Sequence, residues 1–182
     1  MQKLPNKKQF VIGIVGPEST GKSTLAQALS RHYQVDFAQE MAREYLNQLG
    51  RPYHEVDLKK IAEIQFEEEL KYRNSNQPLV ICDTTLLVIK VWSEYKYHHC
   101  NEWILKAERE NLYDLLLLTD IDLPWVDDPM REHPTERNEL FSIYYRALIQ
   151  KKEPFKLIFG NENERFTKAI QAIEMVKMNS SI

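Results

Sequence analysis

The segment FVIGIVGPESTGKST, residues 10–24, constrains the fold more than any other part of the chain. Its first six residues are apolar and rich in β-branched side chains, as in a buried strand. Gly16, Gly21, Lys22 and Ser23 then meet the spacing G-x-x-x-x-G-K-[ST], and from Lys22 onward Leu25, Ala28, Leu29 and His32 recur at helical spacing. A glycine-containing turn between a strand and a helix binds phosphate, because its amides wrap anionic oxygens and the helix dipole favours negative charge there. Gly16, Glu18, Ser19, Thr20, Gly21, Lys22, Ser23 and Thr24 are therefore the expected triphosphate cradle. Lys22 should reach the β- and γ-phosphates, and the Ser23 hydroxyl should ligate Mg²⁺.

The rest of the chain alternates short apolar runs with helical periods, the pattern of an α/β protein with a parallel sheet. Further strands are expected at VDFA (35–38), LVIC (79–82), LLLL (115–118) and FKLIF (155–159). Gly50 is placed to end a short helix, REYLNQL, and Asp57 to cap the next one. Residues 119 to about 134 show no regular period and hold three prolines among charged residues, and a loop of that length in a compact domain is usually functional. No repeat or linker divides the chain, so 1–182 reads as one domain with a lid at about 124–137.

Composition narrows the classes. A formal net charge of −3, with 24 basic and 27 acidic residues interspersed, leaves no basic footprint for nucleic acid, and the NKK near the start reads as a solvated tail. No apolar segment approaches the ~20 residues that span a bilayer, and the first residues are too polar for a secretory signal. Cys82 and Cys100 form no C-x-x-C pair, and Cys82 lies in an apolar run as a small core residue. The expected compartment is the cytoplasm.

The phosphate loop leaves the reaction class open. A GTPase switch would need Asp-x-x-Gly after the third strand and an Asn-Lys-x-Asp motif; the chain has DTTL and no Asn-Lys-x-Asp. An unfolding-type ATPase usually pairs Asp with Glu where this chain has Asp83 and Thr84, and adds a helical domain for which there is no room. A small kinase survives these exclusions. It needs a carboxylate near the acceptor hydroxyl, a metal site and positive charge over the transferring phosphoryl group, placed at the carboxyl ends of strands. Asp83 ends the third strand, where it could ligate Mg²⁺, accept the hydroxyl proton or cap the next helix. Glu40 and Arg43 follow the second strand; Glu40 could hold sugar hydroxyls, act as base, or simply face a helix N-terminus. Asp127, Asp128, Arg131 and Arg137 occupy the long loop, where arginines could close onto phosphates and exclude water, or pair with the acids on the surface. Trp125 is placed to stack on a flat ring, whereas Trp92 reads more readily as core, and His133 as exposed.

GPESTGKSTLA, EMAREYL, ICDTTLLVIKVWSEYKY, YDLLLLTDIDLPWVDDPMREHPTER and NERFTKAI together resemble the ribosylnicotinamide kinase domain of NadR-type NAD-salvage proteins, from about Phe10 to Ile173. The resemblance implies a P-loop NTPase three-layer sandwich, with a five-stranded parallel sheet, helices on both faces and a lid. It implies transfer of the γ-phosphoryl group of ATP to the 5'-hydroxyl of nicotinamide riboside, with Mg²⁺. It also implies catalytic roles for Lys22, Asp83, Arg131 and Arg137, and riboside-side roles for Glu40, Arg43, Trp92, Trp125, Asp127 and Asp128. The alternatives are a kinase of another nucleoside or nucleotide, and an ATP-dependent sensor without catalysis. The chain lacks the His-x-Gly-His signature of the family's adenylyltransferase domain, so adenylyl transfer and DNA binding are not expected. It also lacks a glycine expected soon after the aromatic residues of YKYHHC (95–100).

Overall fold

The computed structural model describes residues 9–180; the NKK segment lies outside them. Five parallel strands form one sheet in the order β2-β3-β1-β4-β5: β1 (Phe10–Val15), β2 (Phe37–Ala38), β3 (Leu79–Asp83), β4 (Leu115–Thr119) and β5 (Phe155–Ile158). The period of two along each strand sorts side chains to the two faces. Ile12, Ile14, Leu79, Ile81, Leu115 and Leu117 pack beneath α1 (Lys22–Tyr33) and α7 (Glu162–Ser180). Val11, Val15, Val80, Cys82, Leu116 and Leu118 face α4 (Leu86–Tyr97) and α6 (Arg137–Lys151). A third cluster joins α2 (Ala42–Leu49), α3 (Glu55–Arg73), α4 and α5 (Glu102–Glu110). Among the described residues no helix is long and apolar enough to cross a membrane.

This arrangement creates the crevice. The connection after β1 leads to α1 on one face and the connection after β3 leads to α4 on the other, while β1 and β3 pair side by side with Ile14 opposite Asp83. Adjacent strands whose connections diverge leave an opening at their carboxyl ends. The loop 16–21 and Asp83 therefore meet at one edge.

Several local expectations shift. The second strand is only Phe37–Ala38, because the Val35 amide bonds to Ser30 and the Asp36 amide to the Gln77 side chain. The third strand extends through Asp83, and the fifth stops at Ile158. Asp57 does cap α3, but from inside it: the helix starts earlier with His54 as N-cap, and Asp57 completes a capping box by accepting from the His54 amide at 2.7 Å while pairing with Arg51. The glycine missing after YKY is replaced by His98, which ends α4 at φ 53 and donates its amide to Glu94. Since α6 begins at Arg137, the irregular stretch runs to residue 136, slightly past its expected end at about 134.

Buried polar groups tie the strands in place. Glu69 accepts from Arg73, Asn111 and the Tyr113 hydroxyl, all within the protein interior. The Asp114 carboxylate accepts from the Val11 amide at 2.7 Å, at the start of β4. At the other end of β4, Thr119 Oγ1 donates to Val15 O at 3.1 Å and shares a 2.7 Å hydrogen bond with Thr20.

Gly16 packs directly on this Thr119. Its φ is +140°, and a Cβ there would lie 2.5 Å from Thr119 Oγ1 and 2.8 Å from its carbonyl oxygen. Gly16→Ala is expected to lower unfolding free energy by about 2 kcal/mol or more, measured by urea titration, because strained backbone and collision coincide. An unchanged urea midpoint would show that the corner relaxes freely.

Candidate active site

The phosphate loop surrounds the start of α1. Gly21 precedes the helix at φ 75, and Ser19 is also left-handed at φ 56. Lys22 Nζ folds back to donate to Gly16 O at 3.0 Å and Pro17 O at 2.8 Å. From α7, the buried Arg165 donates to Thr20 O at 2.7 Å, Gly160 O and Asp120 O, and pairs with Asp122. The loop is thus fixed from behind by α7.

A cavity of about 210 Å³ opens beside it. Gly16 and Glu18 through Thr24 form one rim, together with Glu40, Arg43, Trp92 and Arg131, so most of the expected site residues converge. Val88, Val91, Tyr95, Leu140 and Tyr144 supply an apolar, aromatic floor from α4 and α6. A second cavity of about 200 Å³ lies on the other side of the loop, bounded by Gly21, Thr24, Leu123, Asn163, Arg165 and Phe166. Gly21 and Thr24 border both cavities.

Asp83 lies beneath the rim, 2% exposed, with Oδ1 buried and lacking a partner. Burial raises its pKa from 3.8 to about 6; the Ser23 hydroxyl opposes the shift, Glu40 adds to it and Lys22 opposes it. The next residue, Thr84, sits at φ 78, a strained conformation for a β-branched side chain. The Thr84 and Thr85 hydroxyls are buried without partners as well. Strain and unpaired polar atoms thus gather at the carboxyl end of β3, beside the crevice. The two oxygen donors, Asp83 and Ser23, also suit a hard cation such as Mg²⁺, which takes few protein ligands when phosphates supply the rest.

The stretch 120–136 folds over the loop. Glu18 accepts from the Glu132 and His133 amides at 3.0 and 3.1 Å. Ser19 Oγ accepts from the Val126 amide and from Arg131. Asp128 pairs with Arg43 at 2.8 Å, which holds its carboxyl below the usual range. Glu132 bonds to Lys96 and to the Tyr53 hydroxyl, which also receives the Trp92 indole N–H at 2.9 Å.

Other expected residues fall elsewhere. Asp128 and Asp127 do not line the cavity; Asp127 accepts from Trp125 Nε1 at 2.8 Å. Trp125 lies outside it too, with the Arg131 and Arg137 guanidinium carbons each 5.9 Å from its ring. Trp92 does both: it packs against the third core cluster and lines the cavity. Arg137 is 9% exposed and anchors the start of α6, donating to Leu123 O at 3.0 Å and Ser19 O at 3.2 Å. His133 is not an exposed loop residue: it lines the cavity and meets Tyr95 edge-on at 5.1 Å. Its burial depends on α4 and left no local signal, nor did the roles of Tyr95, Tyr144 and Arg165.

The raised pKa of Asp83 gives a stability test. Below about pH 4 both folded and unfolded states hold the proton. As pH rises toward 6 the unfolded state releases it first, and above 6 the native state bears the full cost of a buried charge, about 3 kcal/mol for about two units. In the ligand-free protein, Asp83→Asn should therefore gain stability relative to the parent between pH 4 and pH 7, by about 2–3 kcal/mol in denaturant titrations. A difference independent of pH would contradict the buried-carboxylate account.

Known proteins share this architecture. The chain is 22% identical over 175 residues to the trifunctional NAD biosynthesis/regulator protein NadR of Escherichia coli (strain K12), covering 91% of this chain. It spans 42% of the length of that protein. A crystal structure of NadR in complex with NR matches with a TM-score of 0.80 at 23% identity, over 93% of this chain and 52% of the other. Thymidylate kinase from Ehrlichia chaffeensis matches with a TM-score of 0.64 at 16% identity, over 91% of this chain and 98% of that one. The resemblance to NadR thus holds over nearly the whole described chain, and the fold is the α/β P-loop fold. Residues 11–165 match the sequence profile of the AAA domain family AAA_28, and the chain belongs to that family of P-loop domains.

Proposed function

We propose that the protein is a kinase that transfers the γ-phosphoryl group of ATP to the 5'-hydroxyl of nicotinamide riboside, giving nicotinamide mononucleotide. The observation that carries this reading is one rim shared by the phosphate loop and an apolar, aromatic-floored cavity, with a buried carboxylate below it. A cavity on each side of Gly21 and Thr24 allows the donor's base to occupy one and the acceptor the other. The similarity to NadR, and the NR bound by a structure of the same fold, support the choice of acceptor. The stretch 120–136 would act as the lid, and no nucleic acid or membrane enters the reaction.

The chain's own groups suit this chemistry. On donor binding Lys22 would exchange its contacts with Gly16 O and Pro17 O for phosphate oxygens, and the amides before α1 would receive the remaining charge. The acceptor oxygen attacks the γ-phosphorus, the bond to the β,γ-bridging oxygen breaks, and the hydroxyl proton passes to a carboxylate. Glu40, on the same rim, would take that proton where Asp83 holds Mg²⁺; the alternative base is Asp83 itself, whose pKa burial raises to about 6 in the absence of metal. Arg131 donates to Ser19 of the phosphate loop and would add positive charge over the transfer. Asp83 and Ser23 would hold Mg²⁺, which when bound neutralises charge on the phosphate oxygens. Closing the lid excludes water that would otherwise compete as acceptor.

Incubation with ATP, Mg²⁺ and nicotinamide riboside, followed by mass spectrometry, is expected to yield nicotinamide mononucleotide. Lys22→Ala should lower turnover by about 100-fold or more. Phosphorylation of other nucleosides instead would retain the kinase and replace the acceptor. Tight ATP binding with no phosphorylated acceptor would favour a sensor.

A further inference from the structure

The walls of the acceptor cavity are mostly apolar or already committed. Val88, Val91, Leu46 and Leu140 offer no polar side-chain atom. Trp92 Nε1 donates to the Tyr53 hydroxyl, and the Tyr95 hydroxyl donates to Glu139 at 3.0 Å. His133 differs. It lines the same cavity, its side chain is 21% exposed, and its Nε2 is buried with no hydrogen-bond partner.

The imidazole is also held in place. The His133 amide donates to Glu18 of the phosphate loop at 3.1 Å, the ring meets Tyr95 edge-on, and Nδ1 lies 3.9 Å from Glu136 Oε2. A buried polar atom left unpaired is destabilising, and it becomes favourable only when a ligand supplies the missing partner. Neutral imidazole can donate from one nitrogen and accept at the other, so either half of a carboxamide suits it.

We propose that His133 is a specificity-determining residue of the acceptor site, its Nε2 forming a hydrogen bond with a polar substituent on the acceptor's flat ring. This rests on reading the cavity as the acceptor site of a riboside kinase. A ring lacking the substituent leaves His133 unpaired, so the protein rejects it more strongly than an apolar pocket would.

The test is steady-state kinetics with nicotinamide riboside and with pyridine riboside, which lacks the carboxamide. The parent protein should favour the amide by about tenfold in kcat/KM, the worth of one hydrogen bond to a buried group. His133→Phe keeps a ring against Tyr95 and removes the nitrogen; His133→Leu is a second deletion should the first fold poorly, with folding checked by thermal melts. Both should raise KM for nicotinamide riboside about tenfold, leave kcat and the KM for ATP within about twofold, and abolish the preference. His133→Gln should restore part of it. A preserved preference, an equal loss for both acceptors, or a loss confined to kcat would overturn the assignment while leaving the kinase reading intact. If nicotinamide riboside is not phosphorylated but another nucleoside is, the acceptor reading fails. His133 is then judged by the same KM criterion on that nucleoside and its analogue lacking the exocyclic group. If no acceptor is phosphorylated, both fall.

Discussion

The contact between Gly16 and Thr119 is the constraint on which the active edge depends. With no Cβ, the backbone after β1 lies directly against the end of β4, and the Thr20–Thr119 hydrogen bond closes the same corner. Arg165 secures the corner from α7 by three backbone carbonyls and Asp122. The phosphate loop and the root of the lid therefore share one rigid support. A site that stabilises charge without rearranging its own dipoles needs such preorganisation.

The neighbouring strand end is treated differently. Asp83 is buried without full compensation, and Thr84 adopts a backbone conformation that β-branched residues avoid. Surrounding packing must offset both costs, and the third cluster, in which α2, α3, α4 and α5 meet, provides apolar contacts around α4 directly after this turn. Stability and the proposed chemistry are thus opposed at Asp83, whose buried carboxylate is held at a raised pKa. The stretch 120–136 is joined to the rest by hydrogen bonds and ion pairs to Glu18, Ser19, Arg43, Lys96 and Tyr53 rather than by a core, which suits the lid role proposed for it.

The phosphate loop and the five strands were legible because their information is local. A glycine-lysine-serine spacing and runs such as FVIGIV identify themselves within a few residues. The position of the irregular stretch after β4 was legible for the same reason, as an aperiodic segment with prolines. What each side chain does there was not. Arg137 and Arg131 look equivalent in sequence, yet the start of α6 fixes one among carbonyl groups and leaves the other on the rim. Trp92 rather than Trp125 borders the cavity, since only the packing of α4 beside the loop decides which indole does so. His98 shows the converse: a left-handed helix end persists without the glycine that usually marks it.

The fourth strand also resolves an ambiguity inherent in its composition. Four consecutive leucines present the same face after a slide of two residues, so their hydrophobic pattern cannot specify alignment with β1. The polar groups at its ends can. Tyr113 must reach Glu69 and Asp114 must meet the Val11 amide, while Thr119 must arrive beside Thr20. A slipped strand would leave buried partners unmatched at both ends. The leucines supply cohesion that is indifferent to position, and the flanking side chains act as a vernier that sets where the strand stops, and with it where the lid begins.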